Sequence, residues 1–405
     1  MKLLRRRILT LLTALSLVLG CVLFASADEQ TTNPQVVNKS EKTVDFSVEV
    51  EEGSLDFDCR SVFLMEATTG TVLYRQNADE ALPPASVTKI MTLLLVMEAI
   101  DAGTVHLDSM IPISANAASM GGSQVYLKEG EQMTAEDLLK SVVIASANDA
   151  AVALAEHISG SVSAFVEKMN LRARQLGMEN TVFENVTGLD DTAENHVTSA
   201  RDIALMSQAL IRHEKILEYS SIWMDTIRNG EFGLTNTNRL VRFYPGCTGL
   251  KTGSTSKAGF CVSVTAERNG LSLICVVMGA NSRDERNAIA TQLLDWGFAN
   301  YALYTAPEIP VAPLSVKGGV SDLCTISAAP FSAVLPKSDV SSVTWRLTLP
   351  ESLSAPIAAG GEVGTVEFLL GDRVIGVVPI RATIDVPKIS FFQILGRMLA
   401  KFVMI

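Results

Sequence analysis

Ser86 and Lys89 stand three residues apart at the start of the apolar stretch PPASVTKIMTLLLVMEAI (83–100). On a helix that spacing puts both side chains on one face. Val87, Ile90, Met91, Leu94 and Leu95 surround the lysine in sequence. Burying an unpaired ammonium costs several kcal/mol or drives its pKa down. A lysine neutralised in this way is a competent base for a neighbouring serine, and a helix start offers backbone N–H groups to an oxyanion. Ser254 and Lys257, in STSK, match the same pattern, but that serine follows glycine in a turn with no helix behind it. Only Ser86 opens a long apolar helix that can desolvate its lysine.

Two further short patterns could take part in such chemistry. SAN occurs at Ser114–Asn116 and again at Ser146–Asn148, and a three-residue match is by default a turn or a cap. The second copy ends one apolar helix and precedes another, DAAVALAEHISG, so its side chains should be held still. Lys251-Thr252-Gly253 lies just before the strand GFCVSVTAE. Gly253 leaves room for a second backbone, while Lys251 and Thr252 present a charge and a hydroxyl suited to a carboxylate. Taken alone, it reads as an ordinary glycine-containing strand end.

The elements that must position these residues follow from periodicity. SVFLMEA, the turn TTG and TVLYRQ predict a strand pair near the start of the folded region. Helices are predicted at TAEDLLKSVVIA, with Thr134 and Asp137 in capping-box spacing, at SAFVEKMNLRARQLG and at SARDIALMSQALIRH. Strands return at GFCVSVTAE and LSLICVVMGA, and the helix RNAIATQLLDWGFANY closes the unit. Strands at both ends with helices between imply one α/β domain over residues 57–303, its sheet built from distant segments. From 304 to 387 short β-branched runs alternate with Pro, Gly and Ser turns, which predicts a small all-β domain.

The ends of the chain speak to location. MKLLRRRILTLLTALSLVLGCVLFASA has the basic start, apolar core and Ala-Ser-Ala of a secretory signal, residues 1–27, although its apolar part is long enough for an uncleaved anchor. A flexible acidic leader is expected over 28–56. The formal net charge is −11, and losing Lys2, Arg5, Arg6 and Arg7 takes it to about −15, which argues against a nucleic-acid partner. The tail, 388–405, places Ser390, Gln393, Arg397 and Lys401 on one narrow stripe with apolar residues elsewhere. It suits a helix lying in a membrane interface, or one docked on the protein's own β-domain. Cys59, Cys247, Cys261, Cys275 and Cys324 are scattered without metal-type spacing. The Asn269-Gly270 hairpin sets Cys261 opposite Met278, so Cys261 and Cys275 should not be bridged.

The serine–lysine helix followed by SAN and K-T-G, in this order, resembles the β-lactamase and penicillin-binding superfamily, and most closely the D-alanyl-D-alanine carboxypeptidases. NADEALPPASVTKIMT, GGSQVYLKEGEQMTAEDLLKSVVIASANDAAVALAEHI, SARDIALM and GLKTGSTSKAG carry the likeness across nearly the whole mature chain. The resemblance implies an α/β transpeptidase-like fold: an antiparallel sheet flanked by helices, a mostly helical subdomain, then a small β-domain and an amphipathic tail. It implies Ser86 as nucleophile, Lys89 as base and Ser146 as proton carrier to the departing D-alanine. Asn148 would bind the substrate backbone, and Lys251, Thr252 and Arg286 its terminal carboxylate. The Ser86 and Ser254 N–H groups would form the oxyanion hole, with Gly253 leaving the strand edge open to peptide.

The implied substrate is a peptidoglycan stem peptide, with β-lactams as inhibitors and the outer face of the cytoplasmic membrane as the place of work. No metal or cofactor is called for, and His106, His157, His196 and His213 show no zinc-like clustering. Thr248, where an aspartate is expected, and Ser254, often histidine, depart from the family pattern. A β-lactamase would share the motifs but not the second domain and tail, and no convincing E-x-x-L-N lies between Ser146 and Lys251. A tethered wall-binding protein would have no need of the serine–lysine pair.

Overall fold

The computed structural model describes residues 55–189 and 193–403, with side chains to residue 400. The expected signal and nearly all of the expected leader lie outside the described residues. Five antiparallel strands form the main sheet: β1 (Ser61–Glu66), β2 (Val72–Gln76), β3 (Cys247–Thr255), β4 (Gly259–Arg268) and β5 (Leu271–Ala280). Their order is β2-β1-β5-β4-β3. The first two strands thus join the last three across a gap of more than 150 residues in sequence, as the strand–helix–strand pattern predicts.

Both faces of this sheet are covered, and the alternation of side chains along β1 shows how. Val62 and Leu64 share a core with Ile289, Leu293 and Leu294 of helix α6 (Arg283–Asn300). Phe63 and Met65 point the other way, into a larger core shared with the helices between β2 and β3. The longer of those are α1 (Lys89–Asp101), α2 (Ala135–Ala145), α3 (Asn148–Ser159), α4 (Val162–Gln175) and α5 (Ala200–Ile211). Helix α1 sits at the centre: Ile90, Met91, Leu93, Leu94, Val96 and Met97 are all buried, which places apolar residues around nearly its whole circumference. Helix α2 is capped by Thr134, whose side-chain oxygen accepts from the Asp137 N–H at 3.1 Å, as the capping-box spacing predicts.

Two local readings need correction. K-T-G is not merely the end of the strand GFCVSVTAE: Lys251, Thr252 and Gly253 lie within a strand of their own, β3, a full edge strand paired with β4 from Cys247 to Thr255. Its mixture of glycines and hydroxyl residues hides it from a search for β-branched runs. Ser254 is therefore a strand residue, paired with Phe260, and not part of a turn. The five cysteines among the described residues are free. The hairpin keeps the expected register up to Val262–Val277 and then bulges before Phe260–Ala280. Cys261 faces the core of the inter-strand helices, whereas Cys275 faces that of α6, so the two thiols lie on opposite faces of the sheet.

After α6 the chain turns to strands. Tyr301–Thr305 pairs with Ser332–Pro336, so position 303 falls inside a strand. A four-stranded antiparallel sheet runs in the order Ile326–Ala328, Arg373–Ala382, Glu362–Leu370, Val343–Thr348. Its core centres on Phe368, stacked on Phe331 at 4.2 Å between ring centroids. Helix α7 (Phe391–Val403) follows, with Phe391, Phe392, Met398 and Leu399 exposed. Its Arg397 pairs with Asp322 at 3.1 Å and donates to the Val320 carbonyl.

Candidate active site

The residues singled out in the sequence meet where α1, the α2–α3 junction and the edge strand β3 come together. Ser86 sits in a 3-10 turn, Ala85–Thr88, and the α-helix proper begins at Lys89. Ala85 takes a positive φ of 49°, which is costly for a residue with a Cβ and bends the chain sharply into the serine. Lys89 is fully buried. Its Nζ lies 2.9 Å from Ser86 Oγ and 3.0 Å from the Thr187 carbonyl oxygen. Burial lowers its pKa well below the usual lysine range, and the second lysine, Lys251, lowers it further, against a smaller opposing pull from Asp149.

Lys251 is equally buried, and desolvation reinforced by Arg286 brings its pKa down to about 7. Its Nζ donates to Ser146 Oγ at 2.8 Å and to the Thr252 carbonyl at 2.9 Å. Ser146 is the left-handed residue (φ 63°) that ends α2, and α3 starts two positions later at Asn148. That compact corner is why the second SAN faces the site. Asn148 Nδ2 donates to the Gly121 carbonyl at 2.7 Å, while its Oδ1 is buried with no partner. Asp149, next in sequence, accepts the N–H groups of Val125, Leu127 and Ala150, so its charge is bound to backbone.

The first SAN has a different occupation. Ser114 caps the short helix Ala115–Ala118, its hydroxyl donates to Glu156 at 2.6 Å, and Asn116 donates to the same carboxylate at 2.7 Å. It ties that helix to α3.

Gly253 explains how the strand approaches the serine. A Cβ there would stand 2.7 Å from the Ser86 nitrogen and 2.9 Å from both the Pro84 oxygen and the Val87 nitrogen. All three are backbone atoms that cannot swing aside. Ser86, Ser146, Thr252, Gly253, Ser254 and Arg286 line one cleft of about 530 Å³. Thr252 Oγ1 donates to Thr237 Oγ1 at 2.9 Å. Arg286 is buried at the start of α6 and donates to the Cys261 carbonyl and to Asn287 Oδ1.

The fold and motifs match known proteins. The family profile of the D-alanyl-D-alanine carboxypeptidases matches residues 47–282, and that of the penicillin-binding protein 5 C-terminal domain matches 307–388. The chain belongs to the D-alanyl-D-alanine carboxypeptidase family. It is 41% identical over 351 residues to the D-alanyl-D-alanine carboxypeptidase DacF of Bacillus subtilis, covering 85% of this chain and 90% of that one. With DacC of Escherichia coli it shares 34% over 359 residues, covering 86% and 89%. Penicillin-binding protein 5 of Haemophilus influenzae superposes with a TM-score of 0.74 at 32% identity, covering 83% of this chain and 99% of that structure. The protein is thus a serine-type D-Ala-D-Ala carboxypeptidase with the transpeptidase-like α/β fold, a β-rich C-terminal region and a terminal helix.

Several parts of this carboxypeptidase site escape the sequence reading. The segment 182–189 packs behind the serine turn: Thr187 accepts from Lys89, and Val186 accepts from Thr92 at 2.7 Å. Gly188 lies so near Ala85 that a Cβ would meet its carbonyl at 1.8 Å. Trp223, Thr237, Arg239 and Phe243 also line the cleft. NVTGLD carries only a generic turn signal, and its contacts cross about a hundred residues of chain. Thr248 Oγ1 donates to Thr265 Oγ1 at 2.8 Å, so the residue that departs from the family pattern is tied into the sheet. Gly253→Ala should slow labelling by a fluorescent penicillin by roughly 10² or more, since misplacing a reacting group by about 1 Å has that effect. Stopped-flow labelling, with near-UV circular dichroism to verify folding, measures it.

Proposed function

We propose that the protein removes the terminal D-alanine from peptidoglycan stem pentapeptides through an acyl-enzyme on Ser86. The observation that carries this reading is the 2.9 Å contact between Ser86 Oγ and a fully buried Lys89 whose pKa is pushed far down. With its N–H donated to Thr187, neutral Lys89 keeps its lone pair for the serine proton. Oγ then attacks the carbonyl of the penultimate D-alanine. The N–H groups of Ser86 and Ser254 take the developing oxyanion, a role worth several kcal/mol in a dry site.

Ser146 is suited to pass a proton to the departing amine, because Lys251 fixes its hydroxyl at 2.8 Å. Asn148 Oδ1, buried and without a partner, is an acceptor suited to an amide N–H of the substrate. Lys251, Thr252 and Arg286 make a cationic and hydroxyl-bearing end for the terminal carboxylate. Water then cleaves the ester and restores Ser86. A β-lactam enters the same path and leaves Ser86 acylated.

The catalytic unit is taken as residues 57–303 and the β-domain as 304–387. The protein works outside the cytoplasm, at the outer face of the membrane. The signal-like start supports export, and the exposed apolar surface of α7 supports attachment. Among the described residues no helix is long and apolar enough to cross a membrane, so α7 is read as lying in the interface.

Penicillin should form a covalent adduct on Ser86, and Ser86→Ala should abolish both the adduct in intact-mass analysis and D-alanine release. Ser146→Ala should impair peptide turnover while Ser114→Ala leaves it near normal. Equal loss at both would reject the assignment of Ser146. Lys89→Arg should lower acylation by roughly 10²–10⁴, because a guanidinium cannot act as the base. Near-wild-type acylation would mean Lys89 serves only as a charge. The mature protein should float with anionic liposomes, and a form ending at Pro387 should remain in solution with unchanged activity on small peptides. Equal flotation of both forms would exclude α7 as the anchor.

A further inference from the structure

Ser254 belongs to two clefts. On its far side the β3–β4 turn, the end of β5 and Arg60 enclose a second space of about 560 Å³. The charged residues lining it are Arg60 and Lys257, with no carboxylate among them. Arg60 is held in place: its stem lies over Gly279, where a Cβ would come within 2.7 Å of it, and its guanidinium meets Glu80 at 2.7 Å. Lys257 is exposed and takes part in none of the ion pairs formed by the described residues. Arg60 is therefore already paired with a carboxylate, and Lys257 is the cation left for a ligand.

The direction of the substrate connects this cleft to the catalytic one. With the terminal carboxylate at Lys251 and Thr252 and the attacked carbonyl at the Ser254 N–H, the bound peptide runs antiparallel to β3. Its N-terminal part then passes Thr255 towards Lys257. At ~3.4 Å per residue, the residue two positions before the attacked carbonyl comes level with Ser256 and Lys257. In a stem peptide that residue is a D-glutamyl unit joined through its side chain, and its α-carboxylate is either free or amidated.

We propose that the second cleft is the upstream subsite of the carboxypeptidase and selects stem peptides with a free carboxylate two residues before the attacked D-alanine, with Lys257 determining that specificity. This rests on the carboxypeptidase reading above. A charge-assisted contact of this kind corresponds to about tenfold in kcat/KM, or roughly 1.4 kcal/mol.

The test measures D-alanine release by the mature protein from three peptides. Two are pentapeptides identical except for a free or amidated α-carboxyl on the glutamyl residue, and the third is a diacylated Lys-D-Ala-D-Ala lacking that residue. The wild type should favour the free acid about tenfold at low salt, and the preference should shrink as ionic strength rises. Lys257→Gln should remove the preference and Lys257→Glu should reverse it, both leaving the short peptide unaffected. Equal rates on both pentapeptides, or a preference surviving in Lys257→Gln, would overturn the subsite while activity on the short peptide leaves the carboxypeptidase reading intact. No release from any of the three would overturn both.

Discussion

Two lysines are buried in this protein without a carboxylate beside either. Lys89 and Lys251 lie behind one cleft, and each meets only hydroxyl and carbonyl oxygens. An ammonium in such a place is expensive, and two near each other more so, so the free energy favours releasing a proton. The obvious neutralising group, Asp149, is held by three backbone N–H donors and exerts only a small opposing pull on Lys89. Adding a counter-ion would stabilise the fold and hold Lys89, the proposed base, in its charged form. The site is therefore a place where stability is given up for reactivity.

Keeping those lysines dry dictates much of the architecture. α1 is apolar on nearly every side because it carries Lys89 through the middle of the helical core. The segment 182–189 closes the back of the serine turn, and glycine at 188 lets it lie directly on Ala85. On the open side, the edge strand β3 comes within van der Waals contact of the same turn because residue 253 has no side chain. An edge strand is usually a liability, since its unpaired groups invite pairing with another chain. Here those groups face the cleft, and a substrate peptide is a chain of the right kind.

Much of this was legible in the sequence for reasons that can be named. Thr134 with Asp137, the Asn269-Gly270 hairpin and the alternating strands are local signals, and local signals survive without a structure. Choosing Ser86 over Ser254, and the second SAN over the first, relied on the helices around each copy. The structure gives Ser114 and Asn116 to Glu156 and Ser146 to Lys251. β3 was illegible as a strand because its functional residues replace the β-branched ones that would announce it. The contacts of Thr187, Val186 and Thr237 join elements far apart in sequence, and nothing in those residues' immediate neighbourhood reports such partners.

The five cysteines among the described residues carry a consequence for how the chain matures. Burial pushes the thiols of Cys247 and Cys261 up to about 11 and that of Cys59 to about 12, with Cys275 higher still. At neutral pH they are almost wholly protonated, and a protonated thiol neither attacks a disulfide nor oxidises readily. Five free thiols in a chain proposed to work outside the cytoplasm would normally threaten mispaired bridges. Once the chain is folded that hazard is lowered, because few of these thiols are thiolates at neutral pH. The exposure that matters is therefore the one before folding, when the sheet has yet to close over Cys261 and Cys275, both wholly buried in the folded chain.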